Sequence, residues 1–229
     1  MLLEALRTEV YEANLEIVRR GLVLYTFGNA SGVSRADGLI VIKPSGVPYE
    51  KMTPRDLVIT DLDGRMVEGS LRPSSDLATH AALYRAFPSI GGVVHTHSRH
   101  ATAWAQARCE IPCLGTTHAD YFCGCVPVTA ALSAEEIAGD YELNTGAAII
   151  RAMEGRDPLG CPAVLVAGHA PFCWGASASD AAHAAVVLEE LAAMAWQTLT
   201  INPSALEISA ELRDKHHFRK HGPGATYGQ

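Results

Sequence analysis

Apolar residues along this chain recur at two spacings, one typical of helices and one typical of strands. Residues 2–20 carry them at helical spacing and lead into Arg19-Arg20-Gly21, a basic last turn followed by a residue that favours helix ends. Short aliphatic and β-branched runs with turn residues between them predict strands over 22–26, 32–34, 39–42, 57–60 and 65–67. The first third of the chain is therefore predicted to be one helix followed by meandering strands.

The remainder alternates between the two spacings. Helices are predicted over 76–87, 99–107 and 179–199, and strands over 92–96, 163–167 and 171–174. Because no linker or repeat divides the chain, we predict a single domain over residues 1–229, with a flexible tail from about 222 to 229. Helices on both flanks of the later strands favour an α/β fold, a three-layer sandwich whose central sheet is mixed but largely antiparallel.

Composition narrows the classes of function. A chain of 229 residues can bury a core without disulfides, and its net charge of -7 argues against a protein that binds nucleic acid or an acidic membrane surface. No charged-then-apolar leader opens the sequence, and polar residues interrupt the apolar stretch 181–201. We therefore predict a cytoplasmic protein without a membrane span. Its six cysteines are expected to be reduced, and Cys123-Gly-Cys125, the one pair worth checking for metal, is interpreted as two packing residues.

Two histidines, His95 and His97, stand two residues apart at the end of a predicted apolar strand. Positions i and i+2 of a strand project from the same face, so both imidazoles can bind one ion. His169 closes a later apolar strand in the same way and is the best third ligand. Asp76 adds a carboxylate, although capping the following helix is the usual role of an acidic residue at a helix start. The pattern favours a transition-metal site such as zinc.

Three loops carry groups that bind anions. Ser74 and Ser75 precede a predicted helix, whose free backbone N–H groups attract phosphate. Lys43-Pro-Ser45-Gly46 offers a cation, a hydroxyl and a glycine that lets backbone approach a ligand, and Gly28-Asn29 offers a second glycine and an amide. Each loop alone is an ordinary turn. Together they indicate a site for an anionic ligand.

Longer motifs extend this picture over nearly the whole chain. They are Gly28-Asn29, Ile42-Lys-Pro-Ser-Gly46, Pro73-Ser-Ser-Asp76, Phe87-Pro-Ser-Ile-Gly-Gly92, His95-Thr-His-Ser-Arg-His100, Gly115-Thr-Thr-His-Ala-Asp-Tyr121, and a tail from Asp214-Lys-His216 to Tyr227-Gly-Gln229. In this order they resemble the L-ribulose-5-phosphate 4-epimerase branch of the class II, metal-dependent, sugar-phosphate aldolase and epimerase family.

The resemblance implies a role for each motif. The metal, zinc with Mn2+ or Co2+ as alternatives, would be bound by Asp76, His95, His97 and His169. The sugar phosphate would be held by Gly28, Asn29, Lys43, Ser45, Gly46, Ser74 and Ser75. Asp120 and Tyr227 would be the acid/base pair, acting from a neighbouring subunit of a cyclic homotetramer, and His216 would organise that side.

The implied reaction interconverts L-ribulose 5-phosphate and D-xylulose 5-phosphate. The hydrogen on C4 is not α to the C2 carbonyl, so inversion by proton abstraction is difficult, and a retro-aldol cleavage of the C3–C4 bond avoids the problem. The alternatives are an aldolase of the fuculose- or rhamnulose-phosphate type, an epimerase of another pentose pathway, and a non-catalytic module like the adducin head. Those aldolases place Glu where Asp76 stands, which favours the epimerase. The family's usual His-Gly-Pro-Phe reads His169-Ala-Pro-Phe here.

Overall fold

The computed structural model describes residues 2–221 and residue 225. Its helices are α1 (Glu4–Arg19), α2 (Leu77–Ala86), α3 (Arg99–Ala107), α4 (Thr116–Ala119), α5 (Ala134–Ala138), α6 (Tyr141–Ala152), α7 (Ala178–Ile201) and α8 (Ala210–His221). Its strands are β1 (Asn29–Ser34), β2 (Leu39–Ile42), β3 (Val58–Asp61), β4 (Met66–Glu68), β5 (Gly92–His95), β6 (Ala163–Leu165) and β7 (Pro171–Gly175).

The strands form one seven-stranded sheet in the order β4-β3-β2-β1-β5-β7-β6. Every ladder between them is antiparallel, and a parallel bridge joins Val128 to Leu165 outside the named strands. This confirms the predicted α/β fold with a largely antiparallel central sheet. β5 lies inside the sheet, between β1 and β7, which places the end of the His95 strand among buried neighbours.

Side chains on successive strand residues show how the layers form, because they point to opposite faces. Ser31 of β1 contacts α2 through the side chain of Tyr84. The next residue, Gly32, faces α1, where an added Cβ would lie 2.8 Å from side-chain atoms of Leu6 and Val10. On β5, Gly92 lies so close to the backbone of α7 that an added Cβ would be 2.4 Å from the Cα of Ala178. Helices α1 and α7 therefore cover one face of the sheet, and α2, which packs with α6, covers the other.

Helix α7 is the one described helix that is long and apolar enough to cross a membrane, judged by length and composition alone. In the structure it packs against β5, β7, α1 and α3. Eight of its ten buried residues are alanines, which allow the close approach to the sheet that Gly92 shows. This is the packing of a core helix, as the polar interruptions in its sequence predict.

One predicted strand is wrong. Residues 22–26 form no strand but a turn, in which the N–H of Phe27 donates to the carbonyl of Leu24 at 3.0 Å. Tyr25 has a φ of 54°, in the left-handed region that extended backbone does not use, and its side chain is 88% exposed. The apolar run therefore forms a surface turn just before β1. The predicted tail, 222–229, lies outside the described residues except for Ala225.

Candidate metal centre and substrate cavity

Strand pairing brings the three histidines together. In the sheet register, His95 at the end of β5 lies opposite Phe172 on β7 and opposite Asn29 on β1. Because β7 runs antiparallel to β5, the turn before β7 lies beside the end of β5. That turn holds His169. The Nε2 atom of His95 is 3.1 Å from Nε2 of His97 and 3.2 Å from Nε2 of His169.

These distances fit a metal. Zinc binds imidazole nitrogen at about 2.0–2.1 Å, so two ligands of a tetrahedral site lie about 3.3 Å apart. The ligand atoms of the three histidines all lie within 4.8 Å of one another. Among the described residues, no cysteine belongs to a group that could hold a metal ion. All six cysteines are free, and Cys125 lies 3.1 Å from a carboxylate oxygen of Glu110.

The second ring nitrogens have partners of the kind that orient metal ligands. Nδ1 of His95 is 2.9 Å from the carbonyl of Pro171, and Nδ1 of His169 is 2.8 Å from the hydroxyl of Tyr141. Burial and the neighbouring imidazoles lower the pKa of His97, and lower that of His169 to about 4. At neutral pH these two rings are therefore uncharged, which is the form that binds a metal.

Asp76 occupies the N-cap position of α2 but does not cap it with its side chain. Its Oδ2 instead accepts a hydrogen bond of 2.6 Å from Nδ2 of Asn29. Burial alone raises the pKa of Asp76, but His95, His80 and the Asn29 amide outweigh it and hold the pKa below its usual range. The carboxylate is thus ionised beside the imidazoles, although it is not within the group whose ligand atoms lie within 4.8 Å of one another.

All seven predicted substrate-binding residues and all four predicted metal ligands line one cavity of about 520 Å³. These residues are Gly28, Asn29, Lys43, Ser45, Gly46, Ser74, Ser75, Asp76, His95, His97 and His169. The structure therefore brings together eleven residues that lie as much as 141 positions apart in the chain, counting from 28 to 169. A cavity of this size accommodates a small phosphorylated sugar.

The two loops that carry the hydroxyls are joined by backbone hydrogen bonds. The N–H of Ser45 donates to the carbonyl of Arg72 at 2.8 Å, and the N–H of Ser74 donates to the carbonyl of Lys43 at 3.0 Å. Lys43 is buried, and its ammonium donates to the carbonyl of Val47 at 2.9 Å. Burial lowers its pKa to about 8. Lys43 therefore keeps its positive charge at neutral pH.

Gly28 is required by the backbone around it. Its φ is 85°, and an added Cβ would lie 2.7 Å from the carbonyl oxygen of His95. Its own carbonyl accepts a hydrogen bond of 2.8 Å from the Tyr49 hydroxyl. Gly28 therefore lets the chain before β1 pass directly over the end of β5, which places the side chain of Asn29 beside Asp76.

The predicted acid/base residue Asp120 lies elsewhere. It does not line the cavity but sits at the end of α4, against α8. Its Oδ1 is 3.1 Å from Nδ1 of the predicted His216, and Arg219 donates to both carboxylate oxygens at 2.9 and 3.1 Å. Burial raises the pKa of Asp120, but the bonds from Arg219 and His216 hold it below its usual range. The predicted partner Tyr227 lies outside the described residues.

Three residues of this geometry have no signal in the sequence. Tyr141 and Glu142, at the start of α6, line the cavity, and Arg219 fixes Asp120. Tyr141 follows the N-cap residue of a helix, a position where a tyrosine does not indicate a functional role. Its partner His169 is 28 positions away in the sequence. Only the packing of α6 beside α2 reveals it.

Comparison with known proteins shows the family of this chain. Residues 8–196 match the model of the family described as "Class II Aldolase and Adducin N-terminal domain". An L-fuculose 1-phosphate aldolase superposes with a TM-score of 0.81 at 24% identity, over 95% of this chain and 96% of that one, a likeness of fold. YgbL from Klebsiella pneumoniae, described as a putative aldolase/epimerase/decarboxylase, superposes with a TM-score of 0.74 at 25% identity, over 95% of this chain and all of that one. The chain belongs to the class II aldolase and adducin N-terminal domain family.

Proposed function

We propose that this protein is a metal-dependent epimerase that interconverts L-ribulose 5-phosphate and D-xylulose 5-phosphate by cleaving and re-forming the C3–C4 bond. The observation that carries the proposal is that three imidazoles and Asp76 line the same cavity as the Lys43 and Ser74 loops. The imidazoles and the carboxylate suit a divalent metal, and the two loops suit a phosphate. The motifs around these residues resemble those of the epimerase branch of the family.

Residues of this chain would share the work as follows. His95, His97 and His169, with Asp76, would hold zinc, or Mn2+ or Co2+ in its place, and the bound metal would supply a Lewis acid for the C2 carbonyl and C3 hydroxyl oxygens. The hydroxyls of Ser45 and Ser74, with the ammonium of Lys43, would hold the phosphate. The same grip would keep the phosphorylated two-carbon fragment in the cavity while it turns to present its other face.

Asp120 and Tyr227 would form the acid/base pair, in which one residue accepts the proton of the C4 hydroxyl and the other returns a proton when the bond re-forms. Arg219 and His216 hold the carboxylate of Asp120 in its ionised form. Since Asp120 lies outside the cavity of its own chain, we propose that it serves the cavity of a neighbouring subunit in a cytoplasmic homotetramer. Size-exclusion chromatography with light scattering tests this assembly, and a monomer that turns over substrate would refute it.

Product analysis tests the reaction. Zinc-loaded protein is mixed with L-ribulose 5-phosphate, and D-xylulose 5-phosphate is followed beside free dihydroxyacetone and glycolaldehyde phosphate. We expect xylulose phosphate with little free fragment. Asp120→Asn should lose turnover, whereas Asp37→Asn, an exposed carboxylate in the turn between β1 and β2, should retain it. Conversion that survives in Asp120→Asn would remove that residue from the mechanism.

Tyr227→Phe gives an independent check on the acid/base pair. We expect zinc content to be unchanged and turnover to fall about a hundredfold or more, since one proton transfer loses its donor. Zinc is measured by elemental analysis and turnover by the same product assay. Unchanged turnover would exclude Tyr227.

A class II aldolase is the second candidate, favoured by the similarity of fold to an L-fuculose 1-phosphate aldolase. It predicts that the two fragments accumulate. Against it stands Asp76, where such aldolases carry the longer Glu. A non-catalytic module of the same fold predicts no reaction at all with L-ribulose 5-phosphate, even with tightly bound metal.

A further inference from the structure

A column of three polar side chains lies beside the metal centre along one face of α2. Asp76, His80 and Tyr84 follow one another at four-residue spacing, so their side chains lie one above the other. His80 is completely buried, and its Nδ1 is 2.7 Å from the hydroxyl of Ser31 on β1. The same hydroxyl is 2.7 Å from that of Tyr84. The other nitrogen of His80, Nε2, is buried and has no hydrogen-bond partner.

An unpaired buried nitrogen needs an explanation, because leaving one unsatisfied costs about 1–3 kcal/mol. Its surroundings point to the metal centre. The rings of His80 and Phe172 make an edge contact with their centres 6.0 Å apart. The ring of Phe172 in turn stacks on that of His95, with their centres 4.2 Å apart. Asp76 stands one helical turn before His80, on the same face of α2. Its carboxylate is therefore the acceptor that this spacing offers.

The direction of the hydroxyl chain would set which nitrogen carries the proton. His80 is completely buried, where the neutral ring is favoured, and a neutral ring has a single N–H. If the Tyr84 hydroxyl donates to Ser31 and Ser31 donates to Nδ1, the proton of His80 must be on Nε2. Asp76 can accept it, since a carboxylate has about four acceptor positions and Asn29 is seen to occupy one.

We infer that His80 is a positioning residue, which donates from Nε2 to the carboxylate of Asp76 and so aligns Asp76 with the three imidazoles when metal is bound. The Ser31 and Tyr84 hydroxyls hold His80 in the tautomer that can donate. The inference rests on the metal centre of the proposed function. It assigns a task to a buried histidine that neither touches substrate nor lies within the group of three metal-binding histidines.

Two substitutions of His80 separate its two nitrogens. In His80→Gln the amide NH2 takes the place of Nε2, so the donor to Asp76 is kept. In His80→Asn the amide reaches only the place of Nδ1, so the contact with Ser31 is kept and that donor is lost. The readout is the zinc dissociation constant, measured by competition with a chromophoric chelator, with circular dichroism as the check on folding.

We expect His80→Asn to weaken zinc binding about 10–100-fold, the usual effect of removing an outer partner of a ligand, and His80→Gln to stay within about threefold of the wild type. In an Asp76→Asn background, His80→Asn should add less than about threefold, because its effect passes through Asp76. Equal losses in the Asn and Gln variants, or an undiminished loss in the Asp76→Asn background, would overturn the inference.

Ser31→Ala supplies a second route if His80→Asn is not recovered folded. It leaves the imidazole in place and removes the hydroxyl that selects its tautomer. A loss of zinc affinity that disappears in the Asp76→Asn background supports the inference, and a loss that persists there refutes it. Wild-type protein that binds zinc but gives no xylulose phosphate would end the proposed function and leave this result standing. Wild-type protein that binds no divalent metal would end both.

Discussion

Tyr141→Phe should weaken metal binding without changing the cavity. The hydroxyl of Tyr141 lies 2.8 Å from Nδ1 of His169, and the two rings stack at 27° with their centres 6.2 Å apart. A neutral imidazole that binds metal through Nε2 carries its proton on Nδ1. Tyr141 must then accept that proton in a hydrogen bond. Phenylalanine preserves the stacked ring and removes only the acceptor.

The size of the effect follows from this bond. A typical hydrogen bond contributes about 0.5–1.5 kcal/mol net, and leaving a buried donor unpaired costs about 1–3 kcal/mol. His169 is partly screened by solvent at the cavity mouth, so we take about 1–2 kcal/mol. At 1.36 kcal/mol per decade this corresponds to a zinc dissociation constant about 5–30 times higher. That lies near the lower end of the 10–100-fold effect of outer partners on metal affinity.

Chelator competition at pH 7.5 measures the zinc dissociation constants of the wild type and the variant. Tyr11→Phe, on α1 and outside the cavity, is the matched control and should bind zinc like the wild type. Zinc should remain at one ion per chain in all three proteins. Equal affinity of Tyr141→Phe and the wild type would show that Tyr141 does not orient His169. A total loss of zinc would show that the hydroxyl does more than orient it.

Three further predictions concern two residues that stabilise the fold, Glu189 and Gly28, and the lysine of the cavity, Lys43. Glu189 accepts from the N–H groups of His100 and Ala101 at 2.8 and 3.0 Å; burial raises its pKa, but these bonds hold it below the usual range. Glu189→Gln should therefore lower the free energy of unfolding in urea by about 1–3 kcal/mol at pH 7, and the gap to the wild type should close as pH falls through the lowered pKa of Glu189, where the wild-type carboxylate takes up a proton. Gly28→Ala should lower the free energy of unfolding by about 1–3 kcal/mol or more, because alanine is strained at the positive φ and its Cβ would contact the His95 carbonyl. A variant as stable as the wild type would contradict this account of Gly28. Because the pKa of Lys43 is about 8, KM for the sugar phosphate should rise as pH rises through 8, and Lys43→Met should have a higher KM without that rise.

The sequence revealed those parts of the site that lie at the ends of regular elements. His95 and His97 follow a strand with a clear apolar pattern, and Ser74 to Asp76 precede a helix whose predicted span, 76–87, lies within one residue of α2 at each end. The helix that carries His216 was not predicted, because α8 is polar on nearly all sides and has a single buried residue, His217. Such a helix has no apolar stripe to detect. Its contact with Asp120 arises only when α8 packs on α4.

Asp76 shows why residue type and position were not enough to assign a role. Its place before a helix is that of a capping residue, and the sequence left both roles open. The structure shows the carboxylate turned away from the helix backbone and held by Asn29 at 2.6 Å. That contact depends on the register of β1 with β5, which sets Asn29 opposite His95.

The register in turn depends on Gly28. A slip of one residue would set Ala30 opposite His95 and turn every side chain of β1 to the other face of the sheet. It would also bring a Cβ toward the His95 carbonyl, where only glycine fits. Gly28 was predicted to bind substrate, and it does line the cavity, but its backbone contact with His95 serves a second purpose. The glycine fixes the register, the register places the Asn29 amide, and the amide holds Asp76 beside the imidazoles.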